Sequence, residues 1–197
     1  MRPRAATAEE ILDAADRVAF QFGIEGLTIR KLCAELGVTS PAVYRHFASK
    51  DDIREALIDR IVVRTELPGS EAGDWIDRLR IVYVSVHDAV APYDGLASRL
   101  AQEIPDVGQT RWATYAYLVE LLKSVGLSTV NRRRVMSTLY KYVWGDLLIY
   151  PSLEVGARTA RADFLWGLDC LLEIFRQELG VPPNENEHRA GPRALST

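Results

Sequence analysis

TIRKLCAELGVTSPAVYRHFASKDDI, residues 28–53, reads as a short helix, a tight turn, a second short helix and the opening of a third. The Thr28 hydroxyl can accept a hydrogen bond from an orphan amide of the first turn, and Leu27 and Leu32 stand where a hydrophobic staple closes. Ile29, Leu32, Cys33 and Leu36 make one apolar stripe. Gly37 ends that helix in the left-handed conformation that a Cβ resists. The start signal then recurs, with Thr39 as cap, Val38 and Val43 as staple, and Pro41 in the first turn, where a missing amide hydrogen is tolerated. The spacing predicts a helix over about 40–46 with Val43 and Phe47 turned inward, leaving Ser40, Ala42, Tyr44, Arg45 and His46 on the outer face. Two helices joined by a tight Gly-containing turn form a helix-turn-helix, and the second has the size to lie in a DNA major groove.

Charge agrees locally. From Thr28 to Lys50 the basic residues Arg30, Lys31, Arg45 and Lys50 stand against the single acid Glu35, a surplus of three, whereas the whole chain carries a net charge of −3. A net-acidic protein with one positive face fits phosphate binding at that face only. Lys50 occupies the first helical position after the cap Ser49, where the helix dipole disfavours a cation by about 0.3–1 kcal/mol and where stability alone favours residues such as Asp51 and Asp52. Beside exposed amides at a helix N-terminus a Lys is also a phosphate clamp. The alternative is a solvated Lys neutralised by its two Asp neighbours.

Thr28-Ile29-Arg30-Lys31-Leu32, then Leu36-Gly37-Val38, then Tyr44-Arg45-His46-Phe47 with Lys50 three residues on, resembles the DNA-binding domain of the TetR family of bacterial transcriptional repressors. The matching run covers about 7–61, and its specificity lies in the combined spacing. The resemblance implies an all-α homodimer with an N-terminal three-helix DNA-binding domain and a larger helical domain that binds a small ligand and dimerises, about nine helices in total. It also implies that Thr28, Tyr44, His46 and Lys50 touch phosphates. Thr39, Ser40, Ala42 and Arg45 are placed to meet base edges, Arg45 suited to guanine and the Ala42 methyl to thymine, and Arg30 and Pro41 complete the expected DNA-binding set.

A chain of 197 residues with 48% hydrophobic content can bury a sizeable core. No apolar run approaches the roughly 18 residues a membrane helix needs, and the N-terminal residues lack an apolar signal core, so a cytoplasmic protein is expected. Cys33 and Cys170 lie on apolar helix faces of different predicted domains and read as buried, reduced thiols. Arg2 and Arg4 form either a basic arm for DNA or a solvated tail. The first helix begins at Thr7 with Glu10 completing a capping box, and Ile11, Ala15, Val18 and Phe22 follow at helical spacing until Gly23 and Gly26 end it.

Beyond the reading head the pattern stays helical. A fourth helix over about 50–66 places Ile53, Leu57 and Ile61 on one face and links two domains, 1–66 and 67–181, with the break at Leu67-Pro68-Gly69-Ser70 and a disordered tail over 182–197. Further helices are predicted over about 74–90, 95–103, 109–125, 128–150 and 159–179. The last is apolar on more than one side through Phe164, Leu165, Leu168, Leu171, Leu172 and Phe175, with the small residues Ala162, Gly167 and Cys170 available for close approach. These six apolar residues are expected at a dimer interface, which the resemblance builds from the last two helices of each subunit, or else the extra face is covered within the chain. Aromatic residues crowd the second domain, and Tyr83, His87, Trp112, Tyr115, Tyr140 and Trp144 fall on predicted inward faces as candidate ligand contacts, though an aromatic at helical spacing is also plain core.

No cofactor or metal is expected: the three His, at positions 46, 87 and 188, lie far apart, and there is no phosphate loop or nucleophile elbow. The expected function is ligand-controlled repression by a homodimer on a double-stranded, inverted-repeat operator. The alternatives are an activator or a regulator without a small ligand, and, from another class, a small helical enzyme or carrier on the same scaffold.

Overall fold

The computed structural model describes residues 6–101, 113–149 and 157–180. Among them lie nine α-helices and no strand: α1 (Ala8–Phe22), α2 (Ile29–Leu36), α3 (Ser40–Tyr44), α4 (Lys50–Val62), α5 (Trp75–Val90), α6 (Leu96–Ala101), α7 (Ala113–Ser124), α8 (Thr129–Ile149) and α9 (Ala157–Leu179), with a single 3₁₀ turn at Ser70–Ala72. An N-terminal helix-turn-helix domain is followed by a larger helical domain, as the periodicity predicts.

Capping chemistry sets the helix starts. Thr7 and Glu10 exchange hydrogen bonds at 3.2 and 3.0 Å before α1, Ser49 and Asp52 do so at 3.0 Å before α4, and the Asp74 carboxylate accepts from the Ile76 and Asp77 amides before α5. Thr28 caps α2 by accepting from the Lys31 amide at 3.3 Å, and Leu27 and Leu32 are both buried as its staple. Gly37 sits at φ 66° and its amide donates to the Cys33 carbonyl.

In the N-terminal domain α1 packs on α2 and α4, and Ile11, Ala15, Val18, Leu32, Val43, Ile53, Leu57 and Ile61 form its core. In the larger domain α5 packs on α7, α8 and α9 through Leu79, Val82, Leu122, Leu139, Val143, Phe164 and Leu168. Burying each such Leu or Ile contributes about 1.5–3 kcal/mol. α4 packs on α5, and one hydrophobic cluster runs through both domains.

Several elements differ from the pattern. α3 ends at Tyr44 rather than near His46, and Thr39 makes no side-chain cap bond. Pro41 removes one of the two amides a cap serves, and the Thr39 carbonyl already takes the other, from Ala42, at 2.9 Å. α4 ends at Val62, short of 66, because the following chain turns to meet α5, where the Glu66 amide donates to the Ser85 hydroxyl at 2.7 Å. Phe22 is exposed although it continues the α1 stripe. Cys33 is half-buried and Cys170 exposed, so only the first resembles the buried thiol expected. The expected start of the helix before Ala113, Trp112, Tyr150, the arm with Arg2 and Arg4 and the tail lie outside the described residues. No helix among the described residues is long and apolar enough to cross a membrane.

Candidate nucleic-acid interface

The reading head presents its expected residues unevenly. Thr28, Arg30, Thr39, Pro41, Tyr44, Arg45 and His46 are exposed, and Ser40 and Lys50 half-buried. Arg30, Arg45 and Lys50 make no ion pair among the described residues, so their charges face outward unneutralised. Lys31 differs from them, since its ammonium donates to the Gly26 carbonyl at 3.0 Å and lies 3.9 Å from the centre of the Phe22 ring, tying the end of α1 to α2. That contact also accounts for the exposed Phe22. Glu35, the one acid between Thr28 and Lys50, is paired with Arg17 of α1 at 2.6 Å.

Ala42 corrects the expected outer face: it is 6% exposed, beside the fully buried Val43. In a five-residue helix wedged against α2, two successive side chains turn inward, and the Ala42 methyl is not offered to a base edge. The Ser40 hydroxyl is partly engaged as well, 3.7 Å from the Cys33 sulfur.

The five candidate ligand residues that are described, Tyr83, His87, Tyr115, Tyr140 and Trp144, differ widely in burial and none lines the groove at the domain junction. Tyr83 is core, and burial pushes its hydroxyl pKa far up. His87 is buried, stacked on Phe164 with ring centres 3.9 Å apart, its Nε2 3.1 Å from Asp146 Oδ2 and its Nδ1 3.5 Å from Asp88 Oδ1. Burial raises the Asp146 carboxyl, while the Arg161 guanidinium hydrogen-bonded to Asp88 holds that carboxyl below the usual range. Tyr115 and Tyr140 are each 45% exposed, correcting their expected inward placement, and Trp144 is half-buried against Tyr140 at 5.6 Å between ring centres. The α7 face that packs inward is instead Leu118, Leu121 and Leu122. An open groove of about 510 Å³ lies at the domain junction, where Phe20, Arg64, Ser85, Pro92 and Tyr93 line it.

The expected dimer residues are likewise turned inward. Phe164, Leu168 and Leu172 are buried against α5 and α8, and Leu165, Leu171 and Phe175 pack beside them, because this broad apolar arc meets two neighbouring helices of the same chain. The opposite side of α9 carries Ala162, Trp166, Cys170 and Ile174 at successive fourth positions, all exposed, Trp166 by 73%. On α8, Tyr140, Trp144 and Leu148 repeat the same spacing on an accessible face.

Sequence reasoning missed a cluster at the junction of the domains. The Asp16 carboxylate of α1 accepts from the Tyr93 hydroxyl and pairs with Arg64, whose Nη1 also donates to Tyr93 at 3.1 Å. These residues lie far apart in sequence, in three elements, and no local spacing signals them.

Comparison with known proteins agrees with this geometry. Residues 11–57 match the model for bacterial regulatory proteins of the tetR family. A class D tetracycline repressor of Escherichia coli is 39% identical over 145 residues, 71% of this chain and 64% of the repressor. An HTH-type transcriptional regulator of Saccharopolyspora erythraea is 24% identical over 163 residues, 81% of this chain and 69% of the regulator. Other curated relatives are matched over as little as 25% of their length. The crystal structure of a TetR variant from Acinetobacter baumannii AYE in complex with minocycline superimposes with a TM-score of 0.69 at 25% identity, covering 87% of this chain and 97% of that one. With the matched helix-turn-helix, the shared two-domain helical fold and relatives that are themselves regulators, the chain belongs to the tetR family of bacterial transcriptional regulators.

Proposed function

We propose that the protein is a cytoplasmic, homodimeric repressor that reads an inverted-repeat operator with two copies of the 39–46 segment and releases it when a small effector binds the larger domain. The observation that carries this reading is that Arg30, Arg45 and Lys50 of the helix-turn-helix segment make no ion pair among the described residues, on a chain whose net charge is −3. Thr28, Tyr44, His46 and Lys50 then hold phosphates, and Arg45 reads a base edge with Thr39, Ser40 and Pro41 beside it. Two heads about 34 Å apart enter successive major grooves on one side of the duplex.

The dimer forms through the exposed stripes of α8 and α9. Ala162 and Cys170 permit close helix approach between the larger Trp166 and Ile174, and Tyr140, Trp144 and Leu148 widen the apolar surface. An apolar or aromatic effector is favoured by the many apolar and aromatic side chains of the larger domain. It acts by binding one arrangement of the domains more tightly than the other. Light scattering tests the assembly: the wild type is a dimer and Trp166→Glu a monomer that has lost tight operator binding, while Lys123→Glu, on the exposed side of α7 away from both stripes, stays dimeric. A dimeric Trp166→Glu would move the interface elsewhere.

A further inference from the structure

The turn between α5 and α6 grips the DNA-binding domain at two places. Tyr93 donates its hydroxyl to Asp16 of α1, while its ring meets the exposed Phe20 edge-on at 6.3 Å and 84°. Arg64, just past α4, pairs with the same carboxylate and donates to the Tyr93 hydroxyl, closing a three-residue cluster shared by the two domains. The next residue, Asp94, accepts the Ile24 amide through its backbone carbonyl at 2.9 Å. Gly23 lies so close that a Cβ there would stand 3.0 Å from the Asp94 oxygen. Gly95 follows with the Ile24 side chain 3.4 Å from the position its own Cβ would take.

The loop so held is the one that delivers the chain to Thr28. On its other side Glu25 pairs at 3.4 Å with Arg54, a buried guanidinium on α4 that also meets Asp51 at 3.3 Å. The loop before α2 is therefore fixed to α4 within its own domain and to the α5–α6 turn across the junction. A displacement of that turn reaches α2 without passing along α4.

We infer that Asp16 is a positioning residue for DNA reading: held by Tyr93 and Arg64, it locks α1 and the Ile24 loop to the α5–α6 turn and thereby sets the angle at which each reading head is presented. The inference rests on the dimeric operator reading above for its consequence in DNA binding, and on the cross-domain geometry alone for the clasp itself. Asp16 touches no base and no phosphate. Its loss alters which half-site separation is bound and leaves the bases preferred within a half-site unchanged.

Two readouts on the full-length chain separate the clasp from its consequence. Amide exchange at Ile24 in Asp16→Asn and in Tyr93→Phe should speed up by about tenfold or more, since each variant removes a charge-assisted hydrogen bond of the cluster, while the Leu32 amide inside the head keeps its protection. Binding to inverted repeats whose half-site separation is stepped by single base pairs should show a sharp optimum for the wild type and a flattened profile for both variants. Tyr93→Phe keeps the ring against Phe20, so its effect isolates the hydroxyl. Unchanged Ile24 exchange in both variants overturns the clasp. Faster Ile24 exchange with an unaltered spacing profile overturns the positioning role. If the wild type selects no separation at all, the operator reading has failed as well as the positioning role, and the exchange data still decide whether the clasp exists.

Discussion

Lys31 and Lys50 bring the same charge to the reading head, and their surroundings divide their uses. Lys31 is occupied by the Gly26 carbonyl and the Phe22 ring, whereas Lys50 has no partner among the described residues and stands at the amide-rich start of α4. Lys50→Ala should therefore weaken binding to all duplex sequences alike and lower the salt slope by about 1, as loss of one phosphate contact does; a changed base preference in binding titrations would contradict that role. Arg45→Ala should relax preference at one base pair per half-site by about 1–3 kcal/mol, and an unaltered preference would make Arg45 a backbone contact. Among the acids, burial tends to raise the Asp16 carboxyl, but hydrogen bonds from Tyr93 and Arg64 outweigh it and hold the group below 3.8. Its folded value is thus the lower one, so its contribution to stability is full above pH 3.8 and is lost as the pH falls through the folded value. Asp146, raised by burial, runs the other way. Carboxyl titration by NMR should find Asp16 below 3.8 and Asp146 above it; the reverse order would contradict the hydrogen bonding described. The phosphate candidates come from the family resemblance and the base candidates from helix phase and residue type, and the exposure of Thr28, Thr39, Tyr44, Arg45 and His46 is compatible with both. The burial of Ala42 was not legible, since in a helix as short as α3 the inward arc is set by the seat on α2 and not by periodicity.

Helix boundaries follow the caps. Thr7, Thr28 and Ser49 carry the expected side-chain bond, Thr39 does not, Asp74 adds a cap not singled out in the sequence, and Gly37 has the backbone its position demands. Gly37→Ala isolates that demand, because nothing lies within 4 Å of the added Cβ and only the φ of 66° opposes it. Denaturant unfolding should register a loss of about 1 kcal/mol, and no loss would mean that the turn relaxes freely. α9 shows where composition misleads. Its sequence announces a surplus of apolar residues, yet which arc faces the chain's own α5 and α8 is settled by packing among residues far apart in sequence. Leu168 is fully buried and Trp166 largely exposed, so Leu168→Ala should cost about 2–5 kcal/mol at any protein concentration, whereas the penalty of Trp166→Glu should grow on dilution. Equal concentration dependence for the two would contradict the assignment of faces.

Across the whole molecule, the head shares one hydrophobic cluster with the larger domain and is tied to it by polar contacts as well. Asp16, Ile24 and Glu55 each meet a partner beyond the loop that follows α4, in Tyr93, Asp94 and Arg99. None of these pairs has a signature in the sequence, which is why α4 alone looked like the link between domains. In the function proposed above, the coupling between effector and head runs through this seam as well as along α4. The central claim, that this seam serves a dimeric DNA reader, is tested most directly by selecting sites from random duplex DNA with the purified protein at physiological salt. Enrichment of an inverted repeat with half-sites about one helical turn apart is predicted; recovery of no motif, or of an isolated half-site without its mate, would contradict it.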